Sequence, residues 1–332
     1  MSIPTVPPQA TGALPSSSDA DDGLATRPPP DSGDAVNDAE RTLPPGVLTP
    51  LLRSAVPQAA PSADPSANAA VDASAPAVST PVELAILSRQ GGRSYNEDAC
   101  GHWHAEGRLC CVVADGAGGH GGGDIASKLV VRHIIEQSAS APLQRVDEVQ
   151  DLLIDTNAQL RRHRGESEAA RDMHSTVVAL FLDLQRGEAL WGHAGDSRLY
   201  LFRGGQMLAH TRDHSVVQSL VDAGVLAPEQ MRTHPQRSEL QSALGSRPEH
   251  LLVSTASRPW PLQPGDAFLL CTDGLWELVD EAEMSVALDR AADPAAWLAE
   301  LETLVLLHAA EQGKTGHDNF SGIAVWYGGR SA

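Results

Sequence analysis

The sequence is short of positive charge. Its 24 lysines and arginines face 43 aspartates and glutamates, a formal net charge of −19. Nucleic acids and anionic membranes are bound by clustered basic residues, so neither is expected as a partner. A cation suits this balance, although an acidic soluble surface would account for most of the charge equally well. Cysteine is scarce too. Cys100, Cys110, Cys111 and Cys271 lie within or beside apolar runs and show no CxxC spacing, which favours buried reduced thiols over disulfides. No stretch approaches the roughly 18 consecutive apolar residues that span a bilayer. The first residues lack the basic-then-apolar layout of a signal peptide. These absences predict a cytoplasmic protein without membrane insertion, and we expect a monomer.

Residues 1–80 are dominated by Pro, Ala, Ser and Asp, with Pro28-Pro29-Pro30 and Pro44-Pro45 among them. Such a segment buries too little apolar surface to offset its ordering entropy, so a disordered tail is expected. Its one apolar patch, Val47 to Leu52, is either a docking motif or nothing. Periodicity places strands at 82–87 and 108–114 and helices at 125–138 and 146–163. Strands at 175–183, 188–193 and 198–202, with turn signals Arg186-Gly187 and Gly204-Gly205, are expected to be antiparallel neighbours. A helix follows at 214–223, capped by Gly224. The Pro-, Gly-, His- and Arg-rich stretch 225–247 reads as a surface excursion, a kind of loop that usually serves function. Strands at 251–256 and 266–271, helices at 281–291 and 294–312 and a strand at 321–327 complete the chain. This order is not the strict alternation of a parallel sheet. It predicts a layered α+β domain over 81–332, long enough for one large core.

Acids recur where apolar runs stop. Val112-Val113-Ala114 ends in Asp115-Gly116, and Phe268 to Thr272 ends in Asp273-Gly274. Asp318, with Asn319 beside it, opens the last apolar run. Asn96-Glu97-Asp98 follows a glycine pair and Arg93. A single Asp before Gly is ordinarily a turn residue. Several acids at strand ends, however, repel one another unless a cation lies between them. Every candidate donor is oxygen, so that cation is hard and divalent.

The ordered motifs Gly92-Arg93-x-x-Asn96-Glu97-Asp98, Asp115-Gly116-x-Gly118-Gly119-His120, Gly195-Asp196-Ser197-Arg198, Asp213-His214-Ser215, Asp273-Gly274-Leu275 and Asp318-Asn319 resemble the metal-dependent protein phosphatase 2C family. The bacterial serine/threonine phosphatases of that family are closest in style, and the resemblance spans residues 83–327. It implies a four-layer α-β-β-α sandwich around two antiparallel sheets. It also implies hydrolysis of phosphoserine and phosphothreonine in proteins by a hydroxide bridging two Mn²⁺ or Mg²⁺ ions, with a third ion weakly held. By the resemblance, Asp115, Asp273 and Asp318 hold one ion, and Glu97, Asp115 and the Gly116 carbonyl hold the other. Asp98 orients metal-bound water, and Asp172 contributes to the third ion. Arg93 grips the substrate phosphate, since its planar fork takes two phosphate oxygens at once. Arg93 and Asp115 are thus the expected catalytic residues. Phosphorylated proteins and a cognate serine/threonine kinase are the implied partners.

The chain departs from the family pattern in places. Ala117 stands where some members carry a histidine proposed as general acid, which leaves His120 or a metal-bound water for that role. His174 replaces a usual glycine near Asp172. Stretch 225–247 corresponds to the family's flap, and its Arg232, His234 and Arg237 are candidates to receive anionic phosphopeptides. Ser238-Glu239 is unusual after His234-Pro235-Gln236-Arg237. The glycines at 116–123 lack the Gly-Lys-Ser/Thr ending of a nucleotide-binding loop. Asp196-Ser197-Arg198 and Asp213-His214-Ser215 are assigned to structure, the first as a turn in which acid and arginine satisfy each other. Two rivals remain: an inactive relative that binds phosphoproteins as a signalling scaffold, and a metal-dependent hydrolase of small phosphate esters or nucleotides.

Overall fold

The computed structural model describes residues 81–118, 122–163 and 173–329. Segment 1–80 with its apolar patch, His120 and Asp172 lie outside the described residues. The chain first forms β1 (Val82–Arg89), β2 (Asp98–Ala105), β3 (Arg108–Ala117), α1 (Gly122–Ser140) and α2 (Val146–His163). There follow β4 (His174–Ser175), β5 (Val177–Asp183), β6 (Glu188–Ala194), β7 (Arg198–Arg203), β8 (Gln206–His210) and α3 (Val216–Asp222). The last part is β9 (Ser254–Thr255), β10 (Trp260–Pro261), β11 (Asp266–Cys271), α4 (Asp273–Trp276), α5 (Glu281–Arg290), α6 (Pro294–Glu311) and β12 (Phe320–Tyr327).

Two sheets result. One runs β1-β12-β11-β7-β8. The other runs β10-β6-β5-β3-β2, with β4 beside β3 and β9 beside β6. All the pairings are antiparallel. Side chains alternate along a strand, and β3 uses both faces. Leu109, Cys111 and Val113 enter the core between the sheets with Leu199, Leu201, Phe268, Leu270, Ile323 and Val325. Cys110, Val112 and Ala114 point the other way, into a core made with α1 and α2. On the opposite sheet, Leu269, Cys271, Ala324 and Trp326 pack outward against α4, α5 and α6. Antiparallel strands usually alternate apolar with polar, because one face meets water. Here both faces of the central strands are covered, so β3, β5, β11 and β12 are nearly continuous buried runs. The architecture is the α-β-β-α sandwich.

Helices α5 and α6 are started by local chemistry. Asp280 and Glu283 form a reciprocal capping box at α5, and Asp293 caps α6 just before Pro294. Both devices satisfy backbone N–H groups left open in a first helical turn.

One topological expectation is corrected. Strands β5 and β6 are antiparallel neighbours, but β7 is not their third partner. It pairs with β11 and β8 in the other sheet. The chain crosses between the sheets at Gly195-Asp196-Ser197, and Gly195 has φ +100°, a conformation that favours glycine. Only Ser254–Thr255 of the expected strand 251–256 is a strand. Strands β2, β8 and β10 have no counterpart among the strands expected from the sequence. All four cysteines are free. Among the described residues no helix is long and apolar enough to cross a membrane.

Candidate metal centre

The antiparallel pairing brings the acidic strand ends together. In β2 and β3 the start of one strand faces the end of the other, so Asp98 stands opposite Asp115. In β11 and β12, Cys271 faces Gly322, which leaves Asp273 and Asp318 at that same end. The two sheets meet there through Thr272, whose hydroxyl donates to Asp98 Oδ2 at 2.9 Å. That hydroxyl in turn accepts from the Ser321 N–H at 3.0 Å.

The backbone around Asp115 is held on several sides. Its N–H donates to Thr176 Oγ1 at 3.0 Å, and its carbonyl accepts from the Thr176 N–H at 2.8 Å. Gly116 then passes so close to α1 that a Cβ there would lie 1.9 Å from the Gly123 carbonyl oxygen. A Cβ on Gly123 would meet Glu97 Oε1 at 2.1 Å and the Gly116 carbonyl oxygen at 2.6 Å. These two glycines thus leave Glu97 and the Gly116 carbonyl facing one small space. Ser127 of α1 donates to the Glu97 carbonyl at 2.6 Å and fixes that strand end to the helix.

The charges in this corner oppose one another. Burial first, then the charges of Asp273, Asp98, Asp196 and Asp318, hold the Asp115 carboxyl well above the usual carboxylate range. Burial, then Asp196 and Asp318, does the same to Asp273. Burial pushes Asp98 up to about 7 against the hydrogen bonds it receives from Ser321 and Thr272. Glu97 is raised by burial and by Asp124. Three carboxylate oxygens, Glu97 Oε1, Asp98 Oδ1 and Asp273 Oδ1, are buried without a hydrogen-bond partner. Buried polar atoms are ordinarily satisfied. Orphaned acceptors on mutually repelling acids fit a hard divalent cation, which would supply the missing positive charge.

The acids do not form a closed cage. Among the described residues, no three His, Cys, Asp or Glu side chains are grouped at metal-holding distance. Asp318 is drawn to the rim instead, where its Oδ2 accepts from Arg93 Nη2 at 2.6 Å. Arg93 is half exposed and opens to solvent beside the acids. Of the predicted site residues, Glu97, Asp98, Asp115, Gly116, Asp273 and Asp318 thus lie at one end of the sandwich, with Arg93 at its rim.

Other expectations changed. Arg198 does not pair with Asp196. It makes a two-pronged bond to Asp213, at 2.8 and 2.7 Å, and lies 3.5 Å over the Trp276 ring. Asp196 is left facing the acid cluster, and burial lifts its carboxyl to about 7. Ser215, not Asp213, caps α3. Two of the flap cations are engaged elsewhere. Arg232 bonds the Trp276 carbonyl and Glu281, each at 2.9 Å, and Arg237 pairs with Glu277 at 2.9 Å. They pin stretch 225–247 to α4 and α5. A separate cleft of about 420 Å³ lies between α2 and residues 248–254. It contains none of the acids, so the chemistry is assigned to the strand ends. Thr272 and Asn319 were not foreseen as partners of the cluster. Their only signal in the sequence is adjacency to Asp273 and Asp318.

Comparison with known proteins agrees with this geometry. The family model for protein phosphatase 2C matches residues 88–305. Protein phosphatase PhpP of Streptococcus pneumoniae is 32% identical over 209 residues, covering 61% of this chain and 82% of that protein. The solved structure of PppA, described as a key regulatory component of T6SS in Pseudomonas aeruginosa, is 32% identical. It has a TM-score of 0.57 and covers 74% of this chain and 97% of that one. The catalytic domain of the serine/threonine phosphatase PstP, solved in complex with two manganese ions, is 26% identical. Its TM-score is 0.62, over 74% of this chain and 98% of that one. The fold, the acidic strand ends and these matches agree: the chain belongs to the protein phosphatase 2C family.

Proposed function

We propose that the protein is a metal-dependent phosphatase of phosphoserine and phosphothreonine in proteins. Residues 81–332 are its catalytic domain, and residues 1–80 are an appended tail. The observation that carries this reading is the set of three orphaned carboxylate oxygens on Glu97, Asp98 and Asp273.

Mn²⁺ or Mg²⁺ held by these acids would lower the pKa of water and offset charge on the phosphoryl oxygens. Asp115, Asp273 and Asp318 would hold one ion. Glu97, Asp115 and the Gly116 carbonyl would hold the other. Asp98 is fixed through Oδ2 by Thr272, so its Oδ1 is left to orient water. Arg93, at the solvent edge, binds two oxygens of the incoming phosphate and aligns it. The reaction consumes one water per ester and releases the alcohol side chain and inorganic phosphate. Substrates of this class are made by serine/threonine kinases, so a cognate kinase is the partner we assign.

The scaffold alternative needs a damaged site, whereas every acid and Arg93 is present. A nucleotide hydrolase would need a base-stacking surface, and no motif in the sequence suggests one. The test is hydrolysis of p-nitrophenyl phosphate and of a phosphothreonine peptide with Mn²⁺. Activity should vanish with chelator and in Asp273→Asn, and nucleotides should be poor substrates. Activity that survives chelation would overturn the reading.

A further inference from the structure

Between β1 and β2 the chain makes a short loop, Gln90 to Glu97, that carries both Arg93 and Glu97. Residues 91–95 are exposed, and no strand pairing holds the loop. Its placement depends on segment 315–319. The Gly92 N–H donates to the His317 carbonyl at 2.9 Å. Gly91 approaches so closely that a Cβ there would lie 2.1 Å from the Asp318 carbonyl oxygen.

One side chain ties both ends of the loop. Asn319 is 4% exposed. Its Oδ1 accepts from the Glu97 N–H at 2.9 Å. Its Nδ2 donates to the Gln90 carbonyl at 2.7 Å and to the Tyr95 carbonyl at 3.0 Å. Its own N–H donates to Asp318 Oδ1 at 2.8 Å. The orientation of the amide is unambiguous. A peptide N–H only donates and a carbonyl only accepts, so a flipped amide would lose all three bonds. The three contacts flank Arg93 on both sides and end on Glu97.

We propose that Asn319 is a positioning residue: it sets the loop that presents Arg93 to phosphate and Glu97 to metal, in register with its neighbour Asp318. This rests on the phosphatase reading above. Asn319 touches neither substrate nor metal and acts through the loop. An aspartate at this position would turn an oxygen toward two carbonyls. A serine would be too short to reach both ends of the loop at once. A carboxamide of this length meets one donor and two acceptors together.

The experiment compares wild-type protein with Asn319→Ala and the milder Asn319→Ser. It measures KM and kcat for p-nitrophenyl phosphate, Mn²⁺ affinity by isothermal titration calorimetry, and Tm. Groups that orient metal ligands typically change metal affinity or activity by about 10–100-fold. Asn319→Ala should raise KM about 10-fold and weaken Mn²⁺ binding by about as much. Asn319→Ser should fall between it and the wild type. In an Arg93→Ala background the KM effect of Asn319→Ala should shrink to less than about 2-fold, because two linked residues are not additive. A purely structural asparagine would lower Tm and leave KM and Mn²⁺ affinity unchanged, and that result overturns the proposal. If Asn319→Ala does not fold, Asn319→Ser alone decides: unchanged KM and Mn²⁺ affinity reject the role. A wild-type protein that neither binds Mn²⁺ nor cleaves the ester would instead sink the phosphatase reading itself.

Discussion

Replacing Asp98 by Asn should stabilise the metal-free protein above neutral pH and weaken its response to metal. Asp98 is 6% exposed, its Oδ1 has no partner, and its carboxyl is pushed from 3.8 up to about 7. A folded-state value above the unfolded one means that the folded chain holds the proton more tightly. The stability this gives is fully present below about pH 4 and is lost as pH rises through about 7. At pH 8 the fold must therefore carry a buried carboxylate it disfavours. The gap corresponds to about 4 kcal/mol, and sharing of protons with Asp115 makes about 2–4 kcal/mol the fair range. An Asn carbonyl can still accept from Thr272, and its amide carries no charge. In chelator at pH 8, Asp98→Asn should therefore melt about 5–10 °C above the wild type. The difference should fade as pH drops toward 4, and added Mn²⁺ should raise Tm less in the variant than in the wild type. Thermal melts across pH, with and without Mn²⁺, measure all three effects. A variant less stable than wild type in chelator at pH 8 would refute the reasoning.

Gly116→Ala should cost about 1–3 kcal/mol and at least 10-fold in Mn²⁺ affinity. Its Cβ would lie 1.9 Å from the Gly123 carbonyl oxygen, and both strand and helix are backbone with no side chain to yield. Urea unfolding and calorimetry check both effects, and wild-type values would show that the close approach is dispensable. Asp213→Asn should destabilise the fold by about 3 kcal/mol or more. It strips the two-pronged charge partner from Arg198, whose side chain is only 7% exposed, and leaves it Glu281 at 3.8 Å. An unchanged urea midpoint would mean that Tyr200 and Glu281 suffice to hold the guanidinium.

Much of the fold was legible because it is written in local patterns. Helix α2 occupies 146–163 as its apolar stripe predicts. Strand β3 is an apolar run because helices cover one face and the second sheet the other. The acidic strand ends were legible for a related reason: antiparallel pairing of β2 with β3 and of β11 with β12 sends their acids to one edge. The rest depends on long-range partners. Strand β2 is an edge strand with His102, Trp103 and His104 in a half-exposed pattern, so its sequence lacks a strand's apolar run. The crossing of β7 into the other sheet is marked locally only by Gly195, which reads equally well as a hairpin turn. Arg198 pairs with Asp213 and not with Asp196, two positions away in sequence, because the chain leaving β8 returns along β7, with the Thr211 N–H on the Leu199 carbonyl and the His214 N–H on the Gly195 carbonyl. Arg232 and Arg237 looked free for phosphate until α4 and α5 supplied Glu281 and Glu277. Asn319 looked like a companion of Asp318, and its three bonds reach residues more than 200 positions away.

The central claim is that acids from four strand ends receive two neighbouring cations. Anomalous scattering at the manganese edge from a crystal grown with Mn²⁺ tests it directly. The account predicts two peaks about 3.5–4 Å apart, with Asp115 between them, Asp273 and Asp318 on one, and Glu97 with the Gly116 carbonyl on the other. A well-ordered crystal with no manganese peak at this corner, or with manganese held by other residues, would contradict it.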